Sequence, residues 1–163
     1  YFVLGQGLLV ALGQLDAGAE IIGIGEAARL LLALISAEFA LPYQQKLISE
    51  IHRAGGKAKL HICGDITPVL HLAAQTGADI IDLDHMVDLK KACGIFPETS
   101  CPNGNFDPVQ ILLQGDINSV GHAVRECLAC AGMHRTMISA GCEVPAFTPP
   151  DNLREVHHVL STY

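Results

Sequence analysis

The sequence predicts an α/β fold, specifically the carboxyl-terminal part of a (β/α)8 TIM barrel with about five βα units. Three observations carry this. Short apolar runs alternate with segments of helical periodicity, glycines fall just after the helical segments, and polar residues that bear chemistry collect at the carboxyl ends of the apolar runs. Strands alternating with helices imply a parallel sheet joined by right-handed crossovers. Five strands cannot close the eight positions of a barrel, so the chain is expected to supply a little more than half of one, completed by further chain or by a second copy.

The predicted strands are IIGIGE (Ile21 to Glu26), AKLHICG (Ala58 to Gly64), ADIIDLD (Ala78 to Asp84), TSCPNGN (Thr99 to Asn105, poor in β-formers) and TMISAGCE (Thr136 to Glu143). Helices are expected over Leu41 to Ala54, Pro68 to Thr76, Val87 to Gly94 and Ser119 to Ala131. In the first, Leu47, Ile48 and Ile51 share a face; the second opens with a proline, which a first helical turn tolerates. Gly55-Gly56, Gly77 and Gly132 stand where a left-handed residue ends a helix. No linker or low-complexity segment interrupts the pattern, so residues 1–163 read as one partial barrel domain. The start at Tyr1, without an initiator methionine, points to a fragment.

Half of the 163 residues are hydrophobic, enough for a real core, and a globular, soluble chain is expected. Seventeen acidic residues face ten basic ones, for a formal charge of −7, and no Lys/Arg cluster offers a footprint for phosphate backbones. Nucleic acid is therefore not an expected partner. A membrane is not expected either. The opening run YFVLGQGLLVALGQ has no basic lead-in or cleavage site, and LLLALI, Leu30 to Ile35, falls far short of the ~20 residues of a bilayer span. A cytoplasmic location follows as the expectation. Six cysteines at irregular spacing then read as reduced thiols or metal ligands.

The chemistry concentrates in KLHICGD, Lys59 to Asp65. Alternation along a strand sends His61 and Cys63 to one face and Leu60 and Ile62 to the other. In parallel α/β folds, active sites form at the carboxyl ends of strands, where Gly64 opens a loop. The next strand ends at Asp84, with Asp82 on the same face, and the last brings Cys142 to the same rim. Imidazole with thiolates favours Zn2+, and three protein ligands leave a catalytic position open, which Asp84 can fill at rest. Blander readings stand beside these. A His-x-Cys on a strand also serves plain packing, Asp84 can cap the helix beginning near Val87, and Asp82 can partner a buried base. Glu26, ending the first strand, either positions substrate or caps a helix. Cys127 and Cys130 lie within one predicted helix with no second pair, as packing cysteines do. His52 and His157-His158 are expected at the surface.

HICGD, TGADIIDLDH, GNFDP and ISAGCEVPAFTPPDNL together resemble the carboxyl-terminal half of the uroporphyrinogen decarboxylase superfamily, and within it the methylcobamide:coenzyme M methyltransferase branch. The resemblance runs from Ala17 onward. It implies zinc held by His61, Cys63 and Cys142, with Asp84 where the similar site of cobalamin-independent methionine synthase adds a carboxylate. It also implies methyl transfer from methylcobalamin, on a separate corrinoid carrier protein, to a small thiol such as coenzyme M. The decarboxylase branch ends its last strand in Gly-His-Gly, where this chain has Gly141-Cys142-Glu143, and that branch's arginine- and aspartate-bearing motifs are absent here. Uroporphyrinogen decarboxylation is the alternative activity, and a non-catalytic module that binds zinc or a corrinoid protein is the alternative class. An open partial barrel is further expected to self-associate.

Overall fold

A computed structural model describes residues 2–26, 38 and 40–163. Helix α1 (Phe2–Asp16) leads into β1 (Ile21–Glu26); α2 (Leu41–Arg53) precedes β2 (Lys57–Ile62). A single 3₁₀ turn, Thr67–Val69, runs into the short α3 (Leu70–Ala73), followed by β3 (Ile80–Leu83), α4 (Leu89–Ile95) and β4 (Cys101–Asn103). A π-helical turn over Pro108–Leu113, α5 (Ile117–Ala131) and α6 (Pro150–Thr162) complete the described chain. The apolar run Leu30 to Ile35 lies outside the described residues. Among those described, no helix is long and apolar enough to cross a membrane.

The four strands form one parallel sheet in the order β1-β2-β3-β4, as strands joined by crossover helices require. Alternation in β2 is sharp: Ala58, Leu60 and Ile62 are buried against the helices, while Lys57, Lys59 and His61 turn to the opposite face. Ile81 and Leu83 of β3 continue the buried face, joined by Ile48 and Ile51 of α2 and Val120 and Val124 of α5. The i, i+3 and i, i+4 spacings of those helical residues account for their shared side. The start of α5 is fixed by a capping box, in which Asp116 accepts from the Ser119 N–H and the Ser119 hydroxyl accepts from the Asp116 N–H. Glycines end two of the helices as expected, Gly55 at φ 86° and Gly132 at φ 59°.

The fifth predicted strand, Thr136 to Glu143, does not form a continuous ladder. It makes two isolated parallel bridges, Asn103 to Met137 and Phe106 to Ala140. Gly104, at φ 138°, breaks the regular backbone between them, and a Cβ on it would lie 2.9 Å from the Leu83 carbonyl oxygen. The segment still lies beside β4, through Met137 N–H to the Pro102 carbonyl and Gly141 N–H to the Phe106 carbonyl, each 2.9 Å. It therefore occupies the place of a fifth strand without its hydrogen-bond pattern.

Candidate metal centre

In-register pairing places His61 of β2 opposite Asp82 of β3, and Asp82 opposite Asn103 of β4. These three residues form a polar row on the sheet face turned away from the helices. Cys63 follows one residue beyond the end of β2, and the Phe106–Ala140 bridge delivers Cys142, 81 residues beyond His61, to the same rim. The approach is tight. A Cβ on Gly141 would sit 2.3 Å from the His85 backbone nitrogen, so only glycine lets the Cys142 loop pass the Asp84–His85 turn.

His61, Cys63 and Cys142 offer three ligand atoms that all lie within 4.8 Å of one another, each on a half-buried residue. His61 Nε2 is 3.1 Å from Cys63 Sγ and 3.9 Å from Cys142 Sγ. Tetrahedral zinc, with bonds of ~2.0 Å to nitrogen and ~2.3 Å to sulfur, sets such atoms about 3.5 Å apart. The two observed separations bracket that value, so the residues fit the ion the donor set suggests. The other ring nitrogen, Nδ1, lies 3.2 Å from the Asp82 carbonyl oxygen. A carbonyl can only accept, so Nδ1 donates to it and Nε2 is the ring nitrogen turned toward the thiols, the orientation a metal ligand needs.

The electrostatics of the centre favour a cation. Burial pushes the Cys63 thiol above its ordinary range; Cys142 pushes it further, and so do the negative charges of Asp84 and Asp82. Without a positive charge, this rim disfavours the thiolate.

Asp84 is buried just beyond β3 but stands outside the three-residue group. Its Oδ2 accepts from the Gly64 N–H at 2.8 Å, and its Oδ1 from the Met86 N–H at 3.2 Å, with His85 Nδ1 2.9 Å away. It caps no helix: α4 begins later than expected and is capped by Asp88, which accepts from the Lys91 N–H. Asp82 does partner a base, with Lys59 Nζ 3.0 Å from its Oδ2. Glu26 ends β1, but its side chain lies outside the described part of the structure. Cys127 is buried and Cys130 exposed on α5. Cys93, Cys101 and Cys127 lie buried in the core, and burial pushes each of their thiols up.

Sequence reasoning assigned no role to Asn105 or Asn103. The Asn105 amide donates to the Asp84 carbonyl at 3.0 Å and to the Val87 carbonyl, clamping the turn that carries Asp84. Asn103 donates to Asp82 Oδ1 at 2.6 Å. The available signal was two amide side chains around Gly104, in a run too polar for a buried strand.

The profile described as "Uroporphyrinogen decarboxylase (URO-D)" matches residues 8–163. A methylcobamide:CoM methyltransferase, MtbA, of Methanosarcina mazei is 33% identical over 126 residues, covering 77% of this chain and 36% of that protein. A uroporphyrinogen decarboxylase of Prochlorococcus marinus is 30% identical over 144 residues, covering 86% of this chain and 40% of the relative. The chain thus spans less than half the length of these curated relatives. The solved structure described as a methyltransferase from Methanosarcina mazei superposes with a TM-score of 0.87 at 21% identity, covering 98% of this chain and 47% of the other, so the fold is shared and this chain accounts for part of it. From β1 through α6 the match is continuous, and the chain belongs to the uroporphyrinogen decarboxylase (URO-D) family.

Proposed function

We propose that this chain carries the zinc-binding, thiol-activating part of a methyltransferase that moves a methyl group from a methyl-corrinoid protein to a small thiol such as coenzyme M. The observation that carries the reading is the convergence of His61 Nε2 with the sulfurs of Cys63 and Cys142. The MtbA relative supports it. Bound there, zinc would hold a substrate thiol as its thiolate at neutral pH, the form that attacks carbon.

The residues of the chain prepare that chemistry. His61 presents a neutral imidazole nitrogen, its proton kept on Nδ1 by the Asp82 carbonyl. Cys63 and Cys142 would give up their protons to hold the metal and would supply two negative charges, which would keep the centre electron-rich. Asp84 borders the site as the candidate fourth ligand of the resting protein, and Glu26 is the candidate substrate-positioning carboxylate at the end of β1. The substrate thiol would lose its proton to solvent, and its thiolate would take the methyl group, with the carbon–cobalt bond of the corrinoid substrate breaking so that both electrons stay on cobalt. The corrinoid belongs to a separate carrier protein, and the activity to the longer protein of which relatives of this family are examples.

Decarboxylation of uroporphyrinogen is the second reading, favoured by the Prochlorococcus relative. A dithiol–imidazole cluster at the rim is not needed to remove carboxylates, and metal-independent turnover of uroporphyrinogen would support that reading over ours. A third, a module that binds zinc without turnover, predicts metal but no transfer.

Zinc per chain in protein purified without added metal tests the proposal, comparing the wild type with Cys142→Ser. Near-stoichiometric zinc in the wild type and a large loss in the variant are expected. A wild type without zinc, or a variant that retains it fully, would overturn the centre. Chelator-sensitive methyl transfer from methylcobalamin to a thiol then separates a catalyst from a binding module.

A further inference from the structure

Beside the three donor residues, across β2, β3 and β4, lies a second set of polar side chains. Asp82 is the middle of this set. Its Oδ2 is 3.0 Å from Lys59 Nζ and 3.4 Å from His61 Nδ1, and its Oδ1 accepts from Asn103 Nδ2 at 2.6 Å. The carboxylate is thus held from both sides, on a side chain only 15% exposed. The arrangement follows from register, since His61, Asp82 and Asn103 pair directly across β2, β3 and β4.

Asn103 shows how strongly this orientation is set. An ionised carboxylate only accepts, so Asn103 must turn its amide N–H2 toward Asp82. In doing so it leaves its own oxygen, Oδ1, buried without a hydrogen-bond partner among the described residues. Buried polar atoms are seldom left unsatisfied, and each such case calls for a reason. Here the reason is the placement of Asp82.

We propose that Asp82, braced by Lys59 and Asn103, is the positioning residue of the metal centre. Its carbonyl accepts from Nδ1 and selects the His61 tautomer, and its carboxylate stands 3.4 Å from the same nitrogen as a charge partner. Metal-bound histidines commonly direct their second nitrogen to a carboxylate or carbonyl, and loss of that partner typically weakens metal binding about 10–100-fold. One residue supplies both groups here. The proposal rests on the zinc reading above and assigns within it the part that tunes the imidazole.

The test measures zinc affinity by competition with a chromogenic chelator for the wild type, Asp82→Asn and the double variant Asp82→Asn/Lys59→Met. Asp82→Asn keeps the shape and the backbone carbonyl and removes the charge; the double variant also removes the lysine that would be left unpaired, guarding against a folding defect. We expect affinity about 10–100-fold weaker in both, with the metal-free double variant melting like the wild type. Affinity within a factor of three of wild type in either variant overturns the role of Asp82. Nitrogen-15 shifts of His61 in the metal-free wild type add a readout independent of metal: the proposal requires the Nδ1-protonated tautomer, and the Nε2-protonated form overturns it. A wild type that binds no zinc overturns the zinc reading itself, a result distinct from a variant that binds as well as wild type.

Discussion

His61 and Gly141 show what single residues do in this chain. His61 is useful because its two nitrogens meet different neighbours, a carbonyl on one side and two sulfurs on the other. Gly141 is useful because it has no side chain. In Gly141→Ala the new methyl would meet the His85 nitrogen at 2.3 Å and the Asp84 carbonyl carbon at 2.9 Å, both backbone atoms that cannot swing aside. The loop must shift and carry Cys142 with it. We expect that variant to lose zinc as completely as Cys142→Ser and to lose about 1–3 kcal/mol of stability to overpacking, read by elemental analysis and thermal melting. Retained zinc at wild-type level would show that the loop has another route to the rim.

At the level of elements, α2, β2 and β3 are tied together by one carboxylate. Asp79, just before β3, accepts from the Ala58 N–H at 2.9 Å, with His52 Nε2 at 2.7 Å and Lys57 Nζ at 3.0 Å. Burial works against its charge, but the Ala58 N–H, His52 and Lys57 together outweigh it and hold the carboxyl down to about 2. Because the folded value lies below the ordinary 3.8, the stabilisation is fully present above about pH 4 and is lost as pH falls toward 2. Solvent screening of a side chain one-fifth exposed limits it to about 1–2 kcal/mol. Urea midpoints between pH 5 and pH 2 should therefore fall more steeply in the wild type than in Asp79→Asn. Parallel slopes would dismiss the clamp. Core packing predicts a larger effect: Leu60, fully buried in β2, should cost about 2–5 kcal/mol as Leu60→Ala in chemical denaturation.

Across the molecule, the β1 edge of the sheet is unpaired among the described residues. Among the described residues β1 pairs with β2 alone, while Leu9, Val10 and Ile21 stand at least half exposed. A cavity of about 280 Å³ between α1 and β1 is lined by Val10, Ala11, Ile22 and Ile24 together with Leu47 of α2. Unpaired strand edges beside apolar surface favour association. Sedimentation equilibrium is expected to give a concentration-dependent mass above the 17.3 kDa of one chain. A monomer that stays folded across the concentration range would refute this.

Much of the architecture was legible in the sequence because it depends on local periodicity. The period-2 alternation of KLHI sorts Leu60 from His61 whatever surrounds the strand, and glycines after helical segments mark their ends with little help from tertiary contacts. The four strands followed from that. The fifth strand did not, since the ladder beside β4 depends on how Gly104 meets Leu83, a contact between elements. Asp84 was ambiguous for the same reason. Its capping role depended on where α4 begins, and the chain delays that start until after Asp88, leaving Asp84 to hold the Gly64 loop. Composition and alternation set which donor atoms the chain owns and which strand face bears His61. That Cys142 meets His61 across 81 residues, and that Asp82 lies behind the imidazole, come from the packed fold, because both depend on strand register and on backbone passing backbone without a side chain between.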